Sequence, residues 1–135
     1  MSSAVKIPHE TLLEICGELG VLMPNTTYFY FMDTDKYLPV RTFFLSSDPS
    51  DISFEVTGDK RFQDVIEEWW KEMFAGEKKY VSVRRTISII EVNSNLEIER
   101  QLLFRNAEPS STTLNADEFG YYEAEFTAQY YEQII

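Results

Sequence analysis

The chain has one cysteine, Cys16, and one histidine, His9, in 135 residues. A single thiol excludes an internal disulfide and fits a reducing compartment. One Cys with one His also excludes an ordinary zinc site. A Ser–His or Cys–His nucleophile pair would have to use His9, in an N-terminal segment that reads as exposed. Cys16 lies on the apolar side of a short helical pattern and reads as a small core residue rather than a thiolate. The five glycines never cluster, so no loop cradles a phosphate. No apolar run approaches the roughly 20 residues that span a bilayer. The opening MSSAVKIPHE has neither a basic n-region nor a long apolar core, so no signal peptide and no membrane partner are expected. Basic residues are scarce, 12 Lys and Arg against 23 Asp and Glu, for a net charge of -11. That excludes nucleic-acid binding by phosphate neutralisation. It suits a chain that repels polyanions, mimics one, or binds a basic partner.

Local motifs add no chemistry. Asn25-Thr26-Thr27 matches a glycosylation sequon, which without an export signal reads as chance. Asp33-Thr34-Asp35 begins like a calcium loop, but Leu38 stands where the glycine belongs and Phe44 where the bidentate acid belongs. The acid pairs Glu67 with Glu68 and Glu97 with Glu99 sit on the polar sides of periodic elements and read as solvated faces. No catalytic residue, cofactor or metal is therefore expected, and the chain does not read as an enzyme.

What is present is a core. Hydrophobic residues make up 44% and aromatics 15%, ample for one self-sufficient domain over residues 1–135. Residues 59–76, DKRFQDVIEEWWKEMFAG, place Phe62, Val65, Ile66, Trp69, Trp70, Met73 and Phe74 at helical spacing. Asp59 suits the N-cap and Gly76 a left-handed end. Residues 8–20 read as a short helix with Leu12, Cys16 and Leu19 on one side, making 1–24 an N-terminal helical extension. Strands are expected at 27–32, at 37–45 with Pro39 marking an edge or bend, and at 52–57. A long hairpin over 80–104 turns at Asn93-Ser94-Asn95, with Leu96, Ile98, Leu102 and Phe104 on one apolar face and Arg85 interrupting it. Residues 106–117 read as a loop around Pro109, and 120–133 as the last strand. The expected class is α+β, mainly β: a small antiparallel barrel or sandwich of about six strands with one packed amphipathic helix and a short N-terminal helix. One helix cannot cover both faces of six strands, which points to assembly.

This succession resembles the tail tube proteins of contractile-tailed phages, relatives of the type VI secretion tube protein and of the baseplate proteins that start the tube. The resemblance is carried by ISFEVTGDKRFQDVIEEWW, the long hairpin, the run from Phe104 through Pro109 to Leu114, the acidic turn Asp117-Glu118, and the final strand YYEAEFTAQYYEQI. It implies a barrel flanked by the helix, six copies to a ring, and rings stacked into a tube inside a contractile sheath. Its partners would be other copies of itself, sheath and baseplate proteins, and DNA that passes without specific binding. Its place would be the virion, after assembly in the host cytoplasm.

On that basis Trp70 and Phe74, at the flank of the helix stripe, are interface candidates, with Arg85, Asn93 and Asn95 on the hairpin. Glu97, Glu99, Glu123 and Glu125, on polar strand faces, are candidates for an acidic lumen. Two rivals fit the charge and size: an acidic α+β chaperone or immunity-type module masking a basic protein, and a small barrel carrying an apolar ligand.

Overall fold

The computed structural model describes residues 5–6, 25–31, 36–46, 52–74 and 82–135. Their strands are β1 (Val5–Lys6), β2 (Thr26–Phe31), β3 (Lys36–Leu45), β4 (Ser53–Gly58), β5 (Arg85–Val92), β6 (Glu97–Thr112), β7 (Tyr122–Thr127) and β8 (Tyr130–Gln133). The helix, α1 (Lys60–Met73), follows β4 at once. The neighbour order is β6-β5-β2-β3-β4-β7, and β7 pairs back onto β6, so six antiparallel strands close into a barrel. Closure removes most of the strand edges a sheet would otherwise expose. The expected mainly-β barrel with one packed helix is the observed fold.

Alternation explains the barrel's filling. Phe29 and Phe31 on β2, Phe54 and Val56 on β4, and Phe126 on β7 turn inward. The Phe54 ring stacks on Phe104 at 4.1 Å and on Phe126 at 4.9 Å. Into this space α1 inserts Phe62, Val65, Ile66, Trp69 and Met73, all buried. Burying each such side chain contributes about 1.5–3 kcal/mol, far more than helix propensity alone. Asp59 starts the helix as its spacing predicts: its carboxylate accepts the backbone N–H of Arg61 at 2.9 Å and of Phe62 at 3.4 Å. The helix ends at Met73 with Phe74 as its C-cap. Gly76 and the predicted helix over 8–20, with His9 and Cys16, lie outside the described residues.

A second apolar cluster lies on the other face of β2, β3, β5 and β6, with Tyr28, Tyr37, Ile90, Val92 and Ile98 buried. Tyr30 and Tyr37 stack beside it at 4.1 Å. This part of the sheet is therefore apolar on both faces.

Three boundaries differ from the sequence reading. The expected loop over 106–117 is strand as far as Thr112, because β6 runs on and pairs with β7. Pro109 is accommodated there at a register shift, one of the few places a strand tolerates proline. The expected last strand is two, β7 and β8, both on β6. Leu96, expected on the apolar face, is 40% exposed with φ of 60° in the hairpin turn. Pro39 fits its expectation: it lies in β3 before β4 joins, where β3 has β2 alone as partner. Among the described residues no helix is long and apolar enough to cross a membrane.

Candidate assembly surface

Adjacent tryptophans on one helix meet different fates. Trp69 points into the barrel, 1% exposed, and its indole N–H donates to the Val83 carbonyl at 2.7 Å. Trp70, 100° further round, lies half-buried on the helix flank and stacks on Phe74 at 5.4 Å. Phe74 is 54% exposed. The Trp70 indole N–H is screened from water yet has no acceptor among the described residues. Leaving such a donor unmade costs about 1–3 kcal/mol, a cost a partner's carbonyl would remove.

The hairpin candidates are mostly engaged within the chain. Arg85 lies over the Phe31 ring at 5.2 Å and the Trp69 ring at 5.9 Å, and pairs with Glu72 of α1. It interrupts the apolar face because it closes that end of the barrel and ties β5 to the helix. Asn93 builds the turn: its side-chain oxygen accepts the backbone N–H of Asn95 at 2.9 Å and of Glu97 at 3.0 Å. Asn95 stands exposed at the tip.

The four acidic candidates do not form one cluster. Glu123 and Glu125 point outward from β7, whereas Glu97 and Glu99 stand at the far end of β6. Glu125 pairs with Ser111, which puts roughly 40 Å of strand between it and Glu99. A residue the sequence reading missed joins the first pair. Glu55 on β4 lies directly opposite Glu125, and the carboxylates of Glu55, Glu123 and Glu125 all fall within 4.8 Å of one another. Oxygen ligands at that spacing could share a hard cation, although exposed acidic groups commonly gather without one. Partial burial, then the charges of Glu123 and Glu125, raise the Glu55 pKa above its ordinary value.

The consequence for stability has a definite sign. Glu55 holds its proton more tightly folded than unfolded, so its contribution to stability falls as pH rises through the carboxylate range. Glu55→Gln should therefore stabilise the fold at neutral pH by about 0.5 kcal/mol, the scale of a directly opposed like-charge pair. The gain should vanish below about pH 4, where carboxylates are protonated. Urea melts at the two pH values check this, and an equal gain at both would refute the charge argument.

No protein-family model matches the chain, and no curated protein does. A solved structure does match: Hcp1 from Flavobacterium johnsoniae, at a TM-score of 0.61 and 12% identity, covering 81% of this chain and 94% of that one. The chain has the fold of Hcp1. At such low identity the likeness is one of architecture.

Two further groupings were missed by the sequence reading. Arg41 of β3 sits over the rings of Phe119 at 5.4 Å and Tyr121 at 4.7 Å and pairs with Asp117 at 3.8 Å. Asp117 in turn accepts the backbone N–H of Phe119 and of Tyr121, so the β6–β7 loop is held in one shape. The Tyr121 hydrogen bond leads the causes that lower the Asp117 pKa. That loop presents Leu114 and Phe119, 81% and 66% exposed. Gln63 is fully buried on α1 and donates to the Thr113 carbonyl at 3.0 Å, tying the helix to the same loop. Its position beside Phe62, in line with Ile66 and Trp70, was the signal available in the sequence.

Proposed function

We propose that this chain is a subunit of a protein tube, a structural conduit that performs no catalysis. The observation carrying this reading is the architecture: a closed barrel with one inserted helix that covers 94% of Hcp1, a type VI secretion tube protein. The exposed aromatics Phe44, Phe74, Phe119 and Tyr130 support it, since self-assembly would take them out of water. In its finer form the reading is that of a contractile phage tail, in accord with the succession of elements from Ile52 to Gln133. Six copies form a ring, rings stack within a sheath upon baseplate proteins, and the virion ejects DNA through them. A net charge of -11 suits that passage, because exposed carboxylates keep phosphates from adhering.

Light-scattering mass measurement and negative-stain imaging of the purified chain test the coarse reading. Hexameric rings or long polymers are expected, and a monomer at every attainable concentration would overturn it. Mass spectrometry of tail particles sedimented from the source culture tests the finer one. Finding the chain in them supports a virion protein, and finding it secreted without particles favours a type VI tube. Trp70→Ala should weaken assembly at least tenfold while leaving the monomer's melting temperature within a few degrees, given the half-buried flank position of Trp70. A melting temperature lowered as far as by loss of Trp69 would mark Trp70 as core.

A further inference from the structure

Arg41 stands where β3 breaks its own alternation. Val40 pairs with Gly58 and Thr42 with Thr57, so Arg41 is an extra residue in β3, a β-bulge. Val40 and Phe43 both pack on the core, three residues apart, where plain alternation would set them on opposite faces. The bulge turns Arg41 outward, against the rings of Phe119 and Tyr121. The loop carrying those rings is itself closed. Asp117 donates its backbone N–H to the Tyr121 carbonyl at 2.8 Å, and Gly120, with φ of 85°, donates to the Asp117 carbonyl at 3.1 Å. Among the described residues Asp117 is the ion-pair partner of Arg41, at 3.8 Å, too long for a hydrogen bond. The Arg41 guanidinium is thus held by the rings, while its N–H groups keep their capacity to donate to a ligand.

A cavity of about 330 Å³ opens beside it, and its lining includes Asn25, Thr27, Arg41, Asp59, Arg61 and Tyr121. That volume lies at the lower end for small-molecule sites. Arg61 is also fixed in place: its Nε and Nη2 donate to Asp59 at 3.1 and 2.7 Å, and its Nη1 has no acceptor among the described residues. Asp59 is in turn committed to Arg61 and to the first N–H groups of α1. Two guanidiniums against one carboxylate leave this cavity one net positive charge, on a chain whose net charge is -11. The cavity on the other side of Arg41 holds Asp117 and Glu123, so an anion is drawn to the Asn25 side alone. A single excess charge matches a carboxylate better than a phosphate, whose second charge the rest of the chain repels.

We propose that Arg41 and Arg61 together bind the carboxylate of a compact organic molecule. The planar fork of Arg41 grips the two oxygens, and Arg61 adds the second cation. Pro39 and the Tyr121 ring line the same cavity and suit a short apolar body beside the carboxylate. A free organic acid and a peptide C-terminus present this same group. The site stands or falls apart from the tube proposal, since every residue in it comes from one copy.

Equilibrium dialysis of benzoate against the full chain tests it, because bound ligand per chain is read whatever the state of assembly. Saturable binding at a single site is expected, weakening as salt is added. Arg41→Gln should weaken it by about tenfold or more, and Arg61→Gln by a smaller factor. Arg41→Lys should not restore it, since an ammonium keeps the charge and loses the planar fork. Benzamide, of the same shape without the charge, should not bind. No saturable binding of benzoate, or equal binding by the Arg41→Gln variant, overturns the site. If Arg41→Gln does not fold, the Arg41→Lys variant carries the test, and full binding by it overturns the fork. Phenylphosphonate binding more tightly than benzoate overturns the choice of a carboxylate. An N-acetylated dipeptide with a free C-terminus separates the two sources: tighter binding than benzoate assigns a peptide terminus, and weaker or equal binding assigns a free organic acid.

Discussion

Trp69→Ala should lower the unfolding free energy by about 3–5 kcal/mol. The side chain is 1% exposed and fills the space between the helix and the barrel wall. Its ring lies 5.3 Å from Phe31 and 6.0 Å from Phe126, so truncation leaves a hole bounded by rings fixed to two separate strands, β2 and β7. Those rings cannot both collapse inward, and the cost belongs at the upper end for that reason. Truncation also frees the Val83 carbonyl from its indole donor and removes the face on which the Arg85 guanidinium rests. Trp69→Phe separates these effects. It keeps most of the volume and loses the hydrogen bond, so about 1–3 kcal/mol should go. Urea titrations with an unchanged slope give both numbers. A Trp69→Ala loss below about 1 kcal/mol would mean that the helix does not plug the barrel.

The difference between Trp69 and Trp70 was legible because a helix has one period. The stripe from Phe62 to Met73 needs no information beyond its own residues, and its cap at Asp59 is equally local. Strand alternation was legible for the same reason: Phe54 and Val56 against Ser53 and Glu55 fall as written. Partnership between strands was not. Glu55 and Glu125 lie far apart in the chain, and only the register of β4 on β7 sets them opposite each other. A like-charge pair on adjacent strands leaves no trace in either strand alone. β6 was misread for a related reason. Asn106 with φ of 52° and Pro109 are loop residues by every local rule, yet the ladders on the two edges of β6 absorb them, Asn106 at a register shift against β5 and Pro109 at one against β7. Arg85 shows tertiary context giving an odd residue its use, since a cation among apolar neighbours is tolerated where two rings and a carboxylate converge. The candidate surface was read at Trp70 and Phe74, where helix geometry suffices. It was missed at Arg41 with Phe119 and Tyr121, where contact between β3 and the β6–β7 loop is required.

Gly58→Ala should cost about 1–3 kcal/mol, near the upper bound, although the change adds a single methyl group. Gly58 ends β4, Asp59 caps the helix, and the chain reverses within those two residues. A methyl carbon on Gly58 would lie 2.6 Å from Cβ, 2.7 Å from Cγ and 2.9 Å from Cδ2 of Phe62. The nearest of these atoms is bonded to the helix backbone, so no rotation of the Phe62 side chain can move it away. The ring itself is held edge-on to Phe29 at 5.4 Å inside the core. Relief must come from shifting the helix relative to the barrel, which disturbs every contact Trp69 and Ile66 make. A rotamer clash would behave differently, and a second substitution tells the two apart. Leucine keeps Cβ, Cγ and a Cδ, so the Gly58→Ala penalty measured in a Phe62→Leu background should stay within about 0.5 kcal/mol of its original value. If that background abolishes the penalty, the obstacle is the aromatic ring, and the close passage of strand into helix is not what requires glycine.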